Sequence, residues 1–119
     1  MPDSPQDVHK KVLGKKGEKL VVSFLKKNGY KILKTNYTTP FGEADVIAQV
    51  GDEIVFIEVK TRTGDRYGTP KEAVGKSKQL RYKRIAQFYG LQTGEEPNAR
   101  FDVAEVFADG RIEYYENAF

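Results

Sequence analysis

The stretch IVFIEVKTR, residues 54–62, decides how the rest of the chain is read. Ile54 and Phe56 fall on one face of an extended strand, and Val55, Ile57 and Val59 on the other. A strand that is apolar on both faces is covered on both, so it belongs at the centre of a sheet with helices above and below. Yet Glu58 and Lys60 stand at its far end, and charge in such a setting needs a partner or a task.

Working outward, Gly51-Asp52 suits a two-residue hairpin loop joining ADVIAQV (44–50) to EIVFIEVK (53–60). That loop pairs Val50 with Glu53, Gln49 with Ile54 and Ile47 with Phe56, and it brings Asp45 opposite Glu58. A four-residue loop would set Asp45 opposite Lys60 instead, diagonal to Glu58. Upstream, YKILKTNY (30–37) reads as a strand and TTPFGE (38–43) as a turn, with Glu43 read either as a solvated turn residue or, less favoured, as a direct participant in the site.

A helical pattern from about Asp7 puts Val12, Leu13, Leu20, Val21, Phe24 and Leu25 on one stripe. Lys26, Lys27 and Asn28-Gly29 mark its end. Gly14, Gly17, Glu18 and Val21 lie near one line of this helix, a flattened face carrying a carboxylate. Downstream, TRTGDRYG (61–68) is expected as a loop, and Thr69-Pro70-Lys71-Glu72 has the form of a helix start. The helix is expected to break near Gly75 and resume through KQLRYKRIAQFYGL (78–91), with Leu80, Ile85, Phe88 and Tyr89 inward. LQTGEEPNA (91–99) is a loop, and RFDVAEVF (100–107) and RIEYY (111–115) form a last hairpin around Asp109-Gly110. Asp102 is read there as part of a strand edge.

The order is helix, three strands, helix, two strands: an α/β domain with a mixed central β-sheet flanked by helices. A chain of 119 residues is expected to be a single domain, 1–119, with residues 1–7 frayed. Hydrophobic residues at 39% against 31% charged argue for a packed core over a disordered tail. No apolar run approaches the ~18 residues of a membrane span. MPDSPQDVHKK lacks the features of a secretory signal, and His9 within it is read as inert. The absence of cysteine removes disulfides, thiolate metal sites and cysteine nucleophiles, and it fits a cytoplasmic protein. Twenty Lys+Arg against 17 Asp+Glu give a net charge of +3, and the bases cluster as KKVLGKK (10–16) and KSKQLRYKR (76–84). That placement points toward a polyanion more than the net charge does.

Two carboxylates opposite each other repel, and Lys60 neutralises one of them at most. A divalent cation would neutralise the rest, and hard oxygen ligands suit Mg²⁺ or Mn²⁺. Asp45 and Glu58 are therefore read as a metal seat for hydrolysis of a phosphodiester, with Glu18 completing the ligand set. Lys60 would orient or deprotonate a water, or stabilise charge as the bond breaks. Arg62 is placed to grip a phosphate. Lys76, Lys78 and Gln79 read either as phosphate contacts or as the solvated face of an amphipathic helix. Arg66 and Tyr67 read either as a clamp on a nucleic acid strand or as a plain loop.

These residues carry a resemblance. Glu18, Asp45 and Glu58-Val59-Lys60 resemble the helix acid, hairpin Asp and Glu-x-Lys of the PD-(D/E)xK nuclease superfamily. More narrowly, GKKGE, GEADVIA, FIEVKTR and RFDVAEV resemble the YraN-like family of small bacterial proteins, similar in fold to archaeal Holliday-junction resolvases. The match spans about residues 9–107. The resemblance implies a restriction-endonuclease-like three-layer core, dependence on Mg²⁺, and a DNA substrate, with branched or damaged DNA as one form. By position, Asp45 and Glu58 would bind the metal, Lys60 would be catalytic and Glu18 would assist. Ala44 stands before the metal Asp where the superfamily pattern has proline, which removes only a rigid turn. Junction cutters use paired active sites, which leaves room for a homodimer.

The leading expectation is thus a metal-dependent DNA endonuclease. A non-catalytic nucleic-acid-binding module with the same fold is the alternative. A protein–protein adaptor whose charged pair is structural is a third.

Overall fold

The computed structural model describes residues 5–62 and 74–119, with only the backbone of residues 5–13. Helix α1 spans Pro5–Lys27, strands β1, β2 and β3 span Lys31–Thr39, Gly42–Val50 and Glu53–Arg62, helix α2 spans Lys76–Thr93, and β4 and β5 span Ala99–Phe107 and Ile112–Tyr115. The sheet order is β1-β2-β3-β4-β5, antiparallel except for the parallel pair β3–β4, so the sheet is mixed as expected.

The two-sided character of β3 is what organises the layers. Val55 and Ile57 pack with Val46, Ala48, Ala104 and Val106 against Val21 and Leu25 of α1. Phe56 packs on the opposite face with Ala44 and Ile47 against Tyr82, Ile85 and Ala86 of α2. One helix lies on each face, giving three layers. Burial of such side chains is worth about 1.5–3 kcal/mol each, so strict register is enforced where both faces are filled.

Most element boundaries follow the local signals. Asn28 and Gly29 end α1, with Gly29 in the left-handed region at φ 85°. Gly51 and Gly110, at φ 58° and 89°, sit in the two tight hairpins. Helix α1 begins at Pro5, before the expected Asp7, so only residues 1–4 of the expected frayed start lie outside the described residues.

Several expectations are corrected. TTPFGE is not all turn: Thr38, Thr39, Gly42 and Glu43 pair across the hairpin, leaving Pro40-Phe41 as its tip. Thr61 and Arg62 are not loop but continue β3, because β4 runs alongside and offers Val106 and Phe107 as partners. Leu80 is not inward; it is 52% exposed, while Tyr82 is buried. Helix α2 turns Tyr82, Ile85, Ala86 and Tyr89 to the sheet, and Leu80 lies about 200° round the helix from Tyr82. Asp102 is not at a strand edge, since β4 is flanked by β3 and β5 and Asp102 is wholly buried. The segments around Arg66, Tyr67 and Thr69–Glu72 lie outside the described residues.

Of the two glycines read as a flattened face of α1, one is a true close approach. A Cβ at Gly17 would lie 2.9 Å from Thr61 Cγ2, whereas one at Gly14 would meet nothing within 4 Å. Gly17 therefore lets α1 settle onto the ends of β3 and β4, and this brings the neighbouring Glu18 to the sheet.

Candidate active site at the parting of β2 and β3

The hairpin pairs Val50 with Glu53, Gln49 with Ile54 and Ile47 with Phe56, the register expected from a two-residue loop. The ladder stops at Val46↔Ile57, one step before Asp45 would face Glu58. There the Asp45 carboxylate takes over from the backbone: Oδ2 accepts the Val59 N–H at 2.8 Å. Asp45 thus sits in the gap between the strands instead of forming a same-face pair with Glu58.

The cause lies next door on β1. Thr35 pairs with Val46 and Tyr37 with Ala44, so Asn36 faces Asp45, and Asn36 has a left-handed backbone at φ 49°. Residues 44 and 46 should share a face by strict alternation, yet Ala44 packs toward α2 and Val46 toward α1. The pleat reverses at Asp45. Asn and Asp tolerate such a twist better than other non-glycine residues.

Glu58 projects toward α2 and is only 4% exposed. Its Oε1 receives the Lys78 ammonium at 2.5 Å, with Lys60 Nζ at 3.9 Å. Its Oε2 receives the Tyr82 hydroxyl at 2.6 Å. Tyr82 also lies 3.5 Å from the Asp45 N–H and from the Ile57 carbonyl, bridging the parted strands from the helix side. On the α1 side stands a second acid pair: the Asn36 amide, oriented to satisfy both, is 2.8 Å from Glu18 Oε1 and 3.0 Å from Glu43 Oε1.

The electrostatics follow from this crowding. Burial, then the Glu58 charge, push the Asp45 carboxyl up to about 7; Glu18 adds to the rise, while the Val59 N–H and Lys78 oppose it. Burial, then Glu43, raise Glu18, with Lys15 opposing. Burial and the two carboxylates hold Tyr82 well above the usual phenol range. Loss of water and a neighbouring carboxylate thus outweigh, at Asp45, the Val59 N–H and the Lys78 ammonium.

Asp45, Glu58, Lys60 and Lys78 are therefore brought together, with Glu18 close enough to act on Asp45 electrostatically. Among the described residues no three acids or histidines converge at ligand distances. Arg62 is already committed, donating from Nε to Oε2 of the buried Glu105 at 2.8 Å. Gln79 donates to the Val74 carbonyl at 2.8 Å and steadies the entry to α2, and Lys76 is exposed. Arg66 lies outside the described residues.

Sequence reading missed Tyr82, Asn36 and Glu105 as members of these networks, while Glu43 takes part through Asn36 as the less favoured of its two readings. Tyr82 had a signal: it stands three and four residues before Ile85 and Ala86, on the stripe that must meet the sheet. Asn36 had none, since its role comes from a local backbone reversal.

The family model of the uncharacterised protein family UPF0102 matches residues 17–106. A UPF0102 protein of Thermodesulfovibrio yellowstonii is 48% identical over 107 residues, covering 90% of this chain and 95% of that protein. One from Syntrophus aciditrophicus is 50% identical over 111 residues, covering 89% and 87%. Among solved structures, Hjc, a Holliday junction resolvase of Archaeoglobus fulgidus, superposes with a TM-score of 0.56 at 20% identity, over 83% of this chain and 72% of that one. At that identity the likeness establishes the resolvase-like fold, and the five-stranded mixed sheet between two helices agrees with it.

Proposed function

The chain belongs to the uncharacterised protein family UPF0102, and from that premise we propose that it is a divalent-cation-dependent nuclease that hydrolyses phosphodiester bonds in DNA. The observation that carries the reading is the parting of β2 and β3 at Asp45, which leaves that carboxylate beside Glu58 in a desolvated gap with two ammonium groups. The fold likeness to a Holliday junction resolvase supports it and suggests distorted or branched DNA as substrate.

The donor set fits Mg²⁺ or Mn²⁺. Such ions take oxygen ligands, keep several of their waters and need only one or two carboxylates, and a cation would favour the ionised form of Asp45, which burial and then the Glu58 charge disfavour. When bound, the ion supplies Lewis acidity at the phosphate. Asp45 and Glu58 would hold it, with Glu18 on the far side of the gap assisting.

The chain's own residues do the rest. Tyr82 and the Val59 N–H fix the two carboxylates in place. The Lys60 ammonium, a third exposed, stands at the mouth of the gap and stabilises negative charge on the phosphate as its bond breaks. Lys78 serves as the counter-charge of Glu58 and, were a cation to take over that role, its ammonium would be free to meet the phosphate backbone.

The test is cleavage of linear, nicked and branched DNA with Mg²⁺ or Mn²⁺ by the wild type, Asp45→Ala and Lys60→Ala. Each substitution is expected to reduce cleavage by about a hundredfold or more. Equal cleavage by all three proteins overturns the assignment. One observation favours a second reading, that of a non-catalytic nucleic-acid-binding module: Lys78 already neutralises Glu58 in part. That module would bind DNA in EDTA, with a steep salt dependence and indifference to Asp45→Ala.

A further inference from the structure

Helix α2, Lys76–Thr93, carries Lys76, Lys78, Arg81, Lys83 and Arg84 and not one Asp or Glu. Such a face suits a polyanion and repels a basic partner. At its edge stands the tip of the β1–β2 hairpin, where Phe41 is 41% exposed. The ring packs on the helix by one edge and leaves much of its surface open beside these cations.

The tip is rigid. Pro40 fixes its own φ, the Thr39 hydroxyl accepts the Phe41 N–H at 3.0 Å, and the same hydroxyl donates to the Gly42 carbonyl at 2.8 Å. Gly42 has φ 135°, a conformation that other residues rarely adopt, and a Cβ there would lie 3.8 Å from Arg81 Cδ. The ring rests edge-on against Phe88 at 6.4 Å between centroids, and the Arg84 guanidinium carbon is 6.0 Å from its centre. A narrow crevice lined by Glu43, Lys78, Arg81 and Tyr82 leads from this tip toward the candidate site.

Resting on the nuclease reading, we propose that Phe41 is a stacking platform for an unpaired or extruded base, with Arg81 and Arg84 holding the flanking phosphates. Every base offers a flat π-face, so the contact reads distortion and not sequence. Four residue steps through the start of β2 separate Phe41 from Asp45, at most about 13 Å, or roughly four base steps along a strand. The cleaved bond would therefore lie a few nucleotides from the distortion. That distance makes Phe41 the residue that selects irregular DNA over perfect duplex.

The experiment measures binding without divalent cations, so cleavage plays no part in it. Fluorescent duplexes, one perfectly paired and one with a single-base bulge, are titrated with wild type, Phe41→Ala, Phe41→Leu and Arg84→Ala. Wild type is expected to prefer the bulged duplex by about tenfold, the scale of one base–aromatic stack. Both Phe41 variants should bind the two duplexes alike while keeping the wild-type affinity for perfect duplex. Arg84→Ala should weaken both and reduce the salt dependence. Phe41→Leu keeps an apolar side chain on Phe88, so a lost preference there reports lost stacking and not lost packing.

A preference unchanged in folded Phe41→Leu overturns the proposal, as does a change of oligomeric state in sedimentation with the preference intact. If wild type shows the preference but cleaves nothing under any metal, the nuclease reading fails alone. Cleavage of bulged and paired duplexes in unchanged ratio by Phe41→Ala sinks the platform alone.

Discussion

Two acids of this sheet, one wholly buried and one half-buried, stand in opposite circumstances. Asp102, near the start of β4 on the α1 side, has every countercharge built in. Arg100 grips it through Nε and Nη2 at 2.8–3.2 Å, the Tyr114 hydroxyl donates at 2.5 Å and the Asn117 N–H at 3.0 Å. Arg100 is anchored in turn by Tyr30 and Glu53. Hydrogen bonding to Asp102 raises Arg100 further above its usual range, and burial with the Asp102 charge does the same to Tyr114. Asp45, on β2 and across β3 from it, has a single backbone N–H and a like-charged neighbour. A closed network fixes a fold; an open one stores a need that only something from outside meets.

The largest effect that tests this contrast is on stability. Asp102→Ala leaves Arg100 buried with only the rim carboxylates Glu53 and Glu116, and should cost about 3–5 kcal/mol in urea denaturation. Asp45→Asn removes a repulsion along with a charge and should stay within about 1 kcal/mol of wild type. Equal losses would erase the distinction. A smaller difference appears on adding Mg²⁺ or Mn²⁺: the melting temperature of wild type should rise by a few degrees, by mass action. That rise should vanish in Asp45→Asn and shrink in Tyr82→Phe, which keeps the ring but frees Glu58 Oε2. An equal rise in all three proteins would place the ion elsewhere.

The smallest effect concerns pH in the metal-free protein. Burial and the Glu58 charge push the Asp45 carboxyl up to about 7, against 3.8 for an ordinary aspartate. Between those values the folded chain binds more protons than the unfolded one, so stability falls as pH rises from about 4 to 7. Asp45→Asn should flatten that slope, and a slope identical to wild type would mean that Asp45 ionises normally.

Much of this was legible from residue order. The register of β2 against β3 followed from Gly51-Asp52, since a two-residue loop admits one pairing and one-residue slips expose the core. The two-faced β3 announced helices on both sides, and both are there. What was not legible is how the pairing ends. The Asn36 reversal and the Asp45–Val59 bond cancel the last expected rung, and no local pattern encodes them. Lys78 shows the same limit: as part of a basic run it reads as a phosphate contact or a solvated face, yet it meets Glu58 because Tyr82 and Ile85 set the rotation of α2 on the sheet.

The sequence by itself determined the order of elements, the central strand, the tight hairpins and the approach of Asp45, Glu58 and Lys60, because these rest on contacts between near neighbours in the chain and on the alternation of a strand. Tertiary structure alone decided which cation faces Glu58, that Tyr82 braces it, that Asn36 joins Glu18 to Glu43, and that a part-exposed Phe41 rests against a helix without acids. Those are matters of how layers rotate and where a ladder yields, fixed by the packing of side chains distant in sequence, and packing is decided only when all of them meet.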